Sequence, residues 1–283
     1  MMKTPRLILL AGMAFTLMAC TVSVNVPKVQ TGIINKMVIN ESSSADANPV
    51  ELTIEMGAGS LEIKPGATSA VEGTIAYNVE DWKPRVSNTG SRISISQTNT
   101  KNVGIPDGQI ENAWNLKIGS MPIDLSISTG ANEGSFDLGG LSIKRLSISD
   151  GASKTTVTFN DPNLVELEKL EYHTGASEVN LLGLGNANVR EIEFNGGAGS
   201  YELDFSGDLS NDINVRIGTG MSDLSIIIPS GAHAIINING GLSNINAAGT
   251  WTINGGTYES GSTGPTIRIT IDMAVGNLNL VQK

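Results

Sequence analysis

The stretch "YHTGASEVNL", Tyr172 to Leu181, decides how this chain is read. Apolar and polar residues alternate on both sides of it, as in a half-buried strand, but a glycine and two small residues interrupt the alternation. The phrase recurs as "ISTGANEGSFDL" from Ile127, "ISDGASKTTVTF" from Ile148, "FNGGAGSYEL" from Phe194 and "IGTGMSDLSI" from Ile217. Aligned on the glycine, seven-residue cores read "GAGSLEI" at Gly57, "GASEVNL" at Gly175, "GAGSYEL" at Gly197, "GMSDLSI" at Gly220, "GLSNINA" at Gly241 and "AVGNLNL" at Ala274. At Gly130 and Gly151 the phrase reads as longer by two residues. From Gly130 to Gly241 the anchors recur about every 22 residues, a period typical of stacked repeats.

The register extends upstream. Three residues before the anchors stand Ile54, Ile127, Ile148, Tyr172, Phe194, Ile217, Ile238 and Ile271. Five before stand Leu52, Leu125, Leu146, Leu170, Ile192, Val215, Ile236 and Ile269. All are apolar at a spacing of two, the signature of a strand face turned inward. After the glycine the inward face resumes, at Val179 and Leu181 or Tyr201 and Leu203. Each unit is therefore strand, small-residue corner, strand. A stacked coil turns a corner in every layer, and a side chain there would meet the layers ~4.8 Å away. Glycine also reaches backbone angles closed to other residues. The units from Gly130 onward predict a rod segment roughly 30 Å long. "LGGLSI" from Leu138, "LGLGNA" from Leu182 and "FSGDLS" from Phe205 mark a second turn per coil.

The fold class that follows is all-β: a single-chain β-solenoid, parallel β-helix-like, of ~22-residue repeats with an N-terminal β cap or insert. Residues 64–122 break the period and hold Trp82 and Trp114. They are expected to pack a β-layer over the first coil, where they would shield an edge open to aggregation. The expected organisation is a signal peptide over 1–19, a lipidated tether over 20–48 with one strand at "NKMVIN", a cap over 49–122 and the repetitive solenoid over 123–283. On the outward face Asp124, Arg145, Lys169 and Glu191 form one row, and Glu171, Glu193 and Arg216 another. Such cross-strand pairs are worth roughly 0.2–1 kcal/mol each.

With 283 residues, 33 glycines and 4% aromatics, the composition suits thin, regular β-structure. The formal net charge of −10 repels phosphate backbones and argues against nucleic-acid binding. The N-terminus, "MMKTPRLILLAGMAFTLMAC", has Lys3 and Arg6, a short apolar run and a small residue before Cys20. That pattern reads as a secretory signal. Leu17-Met18-Ala19-Cys20 resembles the bacterial lipobox, which implies cleavage after Ala19, lipid on the Cys20 thiol and acylation of the new N-terminus. The alternative is an ordinary signal with a chance cysteine, but Cys20 is the only cysteine and stands at the required position. A lone cysteine also excludes an intrachain disulfide. Thr21 follows, without the aspartate that retains some lipoproteins at the inner membrane. The expected location is extracytoplasmic, on the outer membrane of a diderm host or outside the cytoplasmic membrane of a monoderm.

"VELTIEMGAGSLEI", "GTIAYNVEDWKPRV", "RISISQ", "MPIDLSISTGANEGSFDLGGLSIKRLSISDGAS" and "YHTGASEVNL" together resemble the bacterial toast-rack family of extracytoplasmic proteins. The resemblance covers most of the chain after the leader. It implies a β-solenoid related to candidate adhesins and to LiaF-type envelope-stress domains, and it carries over no catalytic residue.

Glycosidase chemistry needs two carboxylates ~5–9.5 Å apart. Asp137, Glu202 and Glu62 read as one outward row, but Thr158 and Asn180 separate Asp137 from Glu202 by about three layers, ~14 Å. His173 and His233 fall in different registers, and no metal-ligand spacing occurs. "SISDGAS" around Asp150 only superficially resembles a calcium-loop fragment. No catalytic residue, metal or cofactor is expected. The expected function is a non-enzymatic, lipid-anchored envelope module, adhesive or scaffolding, with the membrane and either envelope polysaccharide or a membrane protein as partners. The alternative is an accessory in envelope-stress sensing.

Overall fold

The structure is a computed structural model that describes residues 28–44, 46, 48–97, 105–106, 108–241 and 244–283. Cys20, the leader and the start of the tether lie outside the described residues. The first strands are β1 (Lys28–Val29), β2 (Asn35–Glu41), β3 (Val50–Pro65), β4 (Val71–Tyr77), β5 (Pro84–Asn88), β6 (Arg92–Gln97), β7 (Ile105–Pro106) and β8 (Asn112–Ile118). Long strands follow: β9 (Ile123–Asp137), β10 (Ile143–Thr158), β11 (Leu167–Leu182), β12 (Val189–Asp204) and β13 (Ile213–Ile228). The chain ends in β14 (His233–Gly240), β15 (Asn244–Ala248), β16 (Thr252–Asn254), β17 (Thr257–Ser260) and β18 (Thr266–Gln282). All but β1 and β7 belong to one 16-stranded sheet.

The coils are the long strands, stacked in parallel: β3 on β9, then β10, β11, β12 and β13. Each bends at its anchor glycine into two walls. The third wall is the connection, where Leu138, Leu141, Phe159, Leu184, Ala187 and Phe205 are buried. Amides fasten this wall from layer to layer. Asn163 Nδ2 donates to Ile143 O at 2.8 Å while its Oδ1 accepts from Ile143 N–H at 2.9 Å. One coil on, Asn186 Nδ2 donates to Phe159 O at 2.9 Å. The inward columns follow the alternation. Leu52, Leu125, Leu146, Leu170, Ile192, Val215, Ile269 and Ile236 stack one over the next, each 2% exposed or less.

The corner is tight for one reason only. A Cβ on Gly130, Gly151, Gly175, Gly197 or Gly220 would stand 2.3–2.7 Å from the carbonyl oxygen of the preceding anchor. None of these five has a left-handed φ, so close approach of successive layers, and not backbone freedom, demands glycine.

Two expectations are corrected. Gly130 and Gly151 carry no extra residues: Gly134, Thr155, Val179, Tyr201 and Leu224 lie in one unbroken register, as do Phe136, Val157, Leu181, Leu203 and Ile226. Gly134 and Thr155 simply occupy inward positions that other coils fill with apolar side chains. The order of the last two units is also inverted. β18 lies directly on β13, while β14 and β15 cover its two halves from the far side. β18 is an unbroken 17-residue strand that can cover all of β13, whereas β14 and β15 are two short pieces.

The opposite end is sealed by an imitation coil. β6 pairs with the first half of β3 and β8 with the second, and β8 carries the antiparallel strands β4 and β2 outward. At the corner, side chains replace the missing peptide. Gln97 Oε1 accepts from Gly57 N–H at 3.0 Å, and Asn112 Nδ2 donates to both Ala58 O (2.5 Å) and Gln97 Oε1 (3.1 Å). Trp114 and Trp82 are buried here, as an insert packed over the first coil requires.

Candidate functional site

The residues just inside the corner form a second column. Immediately before the anchors stand Met56, Thr129, Asp150, Thr174, Gly196, Thr219 and Met273, in continuous register. Two residues after them stand Gly59, Asn132, Ser153, Ser177, Gly199, Ser222 and Gly276. Small polar side chains thus face each other across the bend. Thr129 Oγ1 donates to Asn132 Oδ1 at 2.7 Å, Ser222 Oγ donates to Thr219 Oγ1 at 3.0 Å, and the Thr174 and Ser177 hydroxyl oxygens stand 2.6 Å apart. The result is a buried polar seam along the axis, closed at its ends by buried Met56 and Met273.

Asp150 is the seam's only charged residue and is 7% exposed. Hydroxyls compensate it: Tyr172 donates to Oδ2 at 2.5 Å, Ser177 to Oδ1 at 3.2 Å, and Thr174 to Oδ1 as well. A buried carboxylate needs such donors, because burial removes the water that would otherwise solvate it. The tyrosine shows the converse. Burial first, then the neighbouring Asp150 charge, pushes the Tyr172 hydroxyl far above its ordinary range. In the next coil Gly196 and Gly199 contribute no side chain, and Tyr201 fills the gap. A Cβ at either glycine would fall 2.9–3.0 Å from the Tyr201 hydroxyl. That hydroxyl has no acceptor among the described residues.

Outside the seam the corner opens into a notch of about 410 Å³ lined by Ser149, His173, Asn195 and Gly218, with Asp150 and Thr219 at its floor. His173 Nδ1 and Asn195 Nδ2 stand 3.3 Å apart. Gly218 leaves the outward row open. The notch offers hydrogen-bond donors and acceptors around the Asp150 carboxylate, a chemistry suited to hydroxyl groups.

The sequence singled out the glycines and missed the seam. The signal was present as "TGAN", "DGAS", "TGAS" and "TGMS", where a polar residue precedes and another follows each anchor by two. Asp150 belongs to that interior pattern and not to a surface ion loop.

The outward rows fall largely where the spacing puts them. Arg145 bridges Asp124 at 3.3 Å and Glu168 at 2.7 Å, and Arg216 reaches Glu191 at 2.8 Å. Lys169 turns to Glu171 and, at 2.9 Å, to Glu193 instead of Glu191, which separates two adjacent like charges. Burial raises the Asp124 carboxyl, with Arg145 opposing. These pairs are exposed or half-exposed at the surface, so each contributes little.

The carboxylate row is corrected by the register. Glu62, Ser135, Thr156, Asn180 and Glu202 share it, and Asp137 does not, because no insertion shifts it there. Glu62 and Glu202 are four layers apart, ~19 Å. His173 and His233 are likewise separate: His233 Nε2 meets Glu259 at 3.2 Å near the chain's last coil.

Comparison with solved structures finds a candidate cell adhesion protein from Clostridium sporogenes ATCC 15579, with 19% identity, 89% of this chain and 99% of that chain covered, and a TM-score of 0.48. A candidate lipid binding protein from Parabacteroides distasonis ATCC 8503 is similar at 12% identity, with 89% and 99% covered and a TM-score of 0.40. A candidate adhesin from Bacteroides fragilis NCTC 9343 is similar at 11%, with 89% and 99% covered and a TM-score of 0.38. No curated protein matches the chain. The family described as the N-terminal domain of toast_rack matches residues 26–168 and again 163–227, most of the chain. A glycine corner stacked coil on coil, sealed by an imitation coil, is thus the architecture of a toast_rack family member, and this chain belongs to that family.

Proposed function

We propose that this chain is a non-enzymatic surface module, adhesive or scaffolding, held outside a bacterial membrane by lipid on Cys20. One observation carries the reading. Ser135, Thr156, Asn180, Glu202, Ser225, Asn279 and Asn246 form a single outward row that crosses seven coils in register. Hydrogen-bonding groups repeat along it every ~4.8 Å on a rigid wall. An extended partner can use many such weak contacts at once, as on other stacked-repeat surfaces. The notch at His173 and Asn195 adds a local recess on the other arm of the bend. Envelope polysaccharide, rich in hydroxyls, is the partner this chemistry favours.

The test is retention of the full lipoprotein on isolated envelope glycan, with proximity cross-linking in the native envelope. The wild type is retained, and Asn180→Ala with Thr156→Ala weakens retention without changing the fold. Capture of a histidine-kinase complex without glycan retention would favour the stress-sensing role instead. Depolymerisation of a glycan by the protein, lost on mutating one carboxylate, would overturn the non-enzymatic reading.

A further inference from the structure

The two ends of the solenoid are finished differently. At the first coil both halves of β3 are covered, by β6 and β8. At the last coil only one half is covered: β17 pairs with the outer edge of β14. β15 pairs with β18 alone among the described residues. The inward column accordingly stops unfinished. Leu278 and Leu280 are fully buried, but Ile245 and Ala247, which stack on them, are only half-buried. On the other half, beyond β14 and β17, Ile253 of β16 is 56% exposed.

An open strand edge is normally guarded by charge, proline or a bulge. Two other open edges follow that rule: β2 carries Lys36 and Glu41, and β5 begins with Pro84 and Arg85; the uncharged edge at β16 is only three residues long. β15 reads Asn-Ile-Asn-Ala-Ala and has none of these. The neutrality is wider than the strand. From Ala234 to Tyr258 the sequence contains no Asp, Glu, Lys or Arg, although the chain carries a net charge of −10. Two copies of so acidic a protein repel each other over most of their surfaces. They do not repel here.

We propose that the β15 edge is the contact surface for a second copy of this chain, tail to tail. In an isologous pair the same patch meets itself about a two-fold axis. Antiparallel β15 strands satisfy each other's open backbone groups and continue the sheet from one solenoid into the next. The two unfinished columns then close on each other, Ile245 and Ala247 against their counterparts. Asn244 and Asn246, already stacked on Asn277 and Asn279, continue as an uncharged amide row. The caps point in opposite directions. Resting on the anchored reading proposed above, such a pair joins two facing membranes; the pairing itself needs no lipid.

The full chain carrying Cys20→Ser, which removes the lipid, is examined by sedimentation over a wide range of concentration. A monomer–dimer equilibrium is expected. Asn246→Lys places two ammonium groups face to face across the axis and should raise the dissociation constant about tenfold or more. Asn246→Gln should leave it unchanged. Hydrogen exchange gives an independent reading, with the Asn244–Ala248 amides protected at high concentration and released on dilution. A monomer at every concentration, a dimer indifferent to Asn246→Lys, or β15 exchange independent of concentration would each overturn the proposal. Because this chain is unlipidated, failure here leaves the glycan and anchor tests of the proposed function untouched.

Discussion

The glycine column makes a graded prediction. A Cβ placed on Gly197 or Gly175 would stand 2.3 or 2.4 Å from the carbonyl oxygen of the coil beneath, whereas at Gly151 and Gly220 the distance is 2.7 Å and at Gly241 it is 2.9 Å. Alanine at Gly175 is therefore about 1 Å inside ordinary contact, and alanine at Gly241 about half that. The obstacle is backbone, so no side chain can swing aside. Relief requires β11 to lift from β10, and a lift near 1 Å stretches neighbouring ladder bonds beyond the ~3.2 Å limit of a good N–H···O bond. Losing two or three such bonds, at ~0.5–1.5 kcal/mol each, gives about 1–4.5 kcal/mol for Gly175→Ala. Gly241→Ala should cost about 1 kcal/mol or less, since the end coil has room to shift.

Against a typical total of ~5–15 kcal/mol, the larger figure is readily measured in urea. The expected order of midpoints is wild type, then Gly241→Ala, then Gly220→Ala and Gly151→Ala, with Gly175→Ala and Gly197→Ala lowest. Position 274 is consistent with the scale, because alanine already stands there near the open end. Equal midpoints across the series, or a wild-type midpoint for Gly175→Ala, would refute the claim that layer contact sets this residue.

Leu170→Asp puts an unpaired carboxylate between Leu146 and Ile192, where the native side chain is 1% exposed. It should cost several kcal/mol, and an unchanged denaturant midpoint would mean the inward register is wrong. In the seam, Tyr172→Phe removes a donor from buried Asp150 and should destabilise by ~1–3 kcal/mol, while Tyr201→Phe, which deletes a hydroxyl with no acceptor, should be neutral or stabilising. Thermal melting of the two variants separates these outcomes, and equal losses would refute the assignment. The Thr68 hydroxyl first, then the Ser69 and Thr68 N–H groups, hold the Glu72 carboxyl at about 2 against an ordinary 4.5. Lys169 similarly lowers Glu193, and the Thr266 N–H, with Arg268, lowers Asp212. These folded-state values are depressed, so their stabilisation is present above the ordinary carboxylate range and is lost as pH falls toward about 2. Urea midpoints should fall over that window, and Glu72→Gln should flatten the fall. Labelled palmitate should enter the wild type and not Cys20→Ser; equal labelling would remove the anchor from the proposal.

How much of this was legible in the sequence depended on what each signal measures. Alternation at a spacing of two reports which side of a strand a residue faces, and it placed Leu146, Leu170 and Ile192 in one column because burial constrains every second residue. The anchor glycines were legible because the clash that requires them is the same in every coil. Alternation reports nothing about which coil lies next to which. β18 and β14 carry the same inward pattern, so only strand completeness decides which one covers β13. The alignment slipped at Gly134 and Thr155 for a related reason: a small or polar residue turned inward looks, in sequence, like a residue turned outward.

The seam escaped for the same reason, and its boundaries show why it exists. A residue just before the anchor and one two after it point into the inner angle of the bend, where the walls are closest and little volume is free. Small hydroxyl and amide side chains fit that angle and bond across it, as Thr129 with Asn132 and Thr219 with Ser222 show. An apolar pair of the same size would leave the tightest part of each coil held by backbone alone. Where the coils pass to the cap and to the inverted end, the pair changes to one long flexible methionine facing glycine: Met56 with Gly59, Met273 with Gly276. At Gly276 the fit is explicit, since a Cβ there would fall 2.6 Å from the Met273 methyl. Methionine fills an irregular gap without demanding a hydrogen-bond partner from a neighbour that no longer repeats the pattern. The polar pairs thus occur only within the run of like coils, with Tyr201 standing in for one at Gly196 and Gly199, and the methionines mark where that run stops.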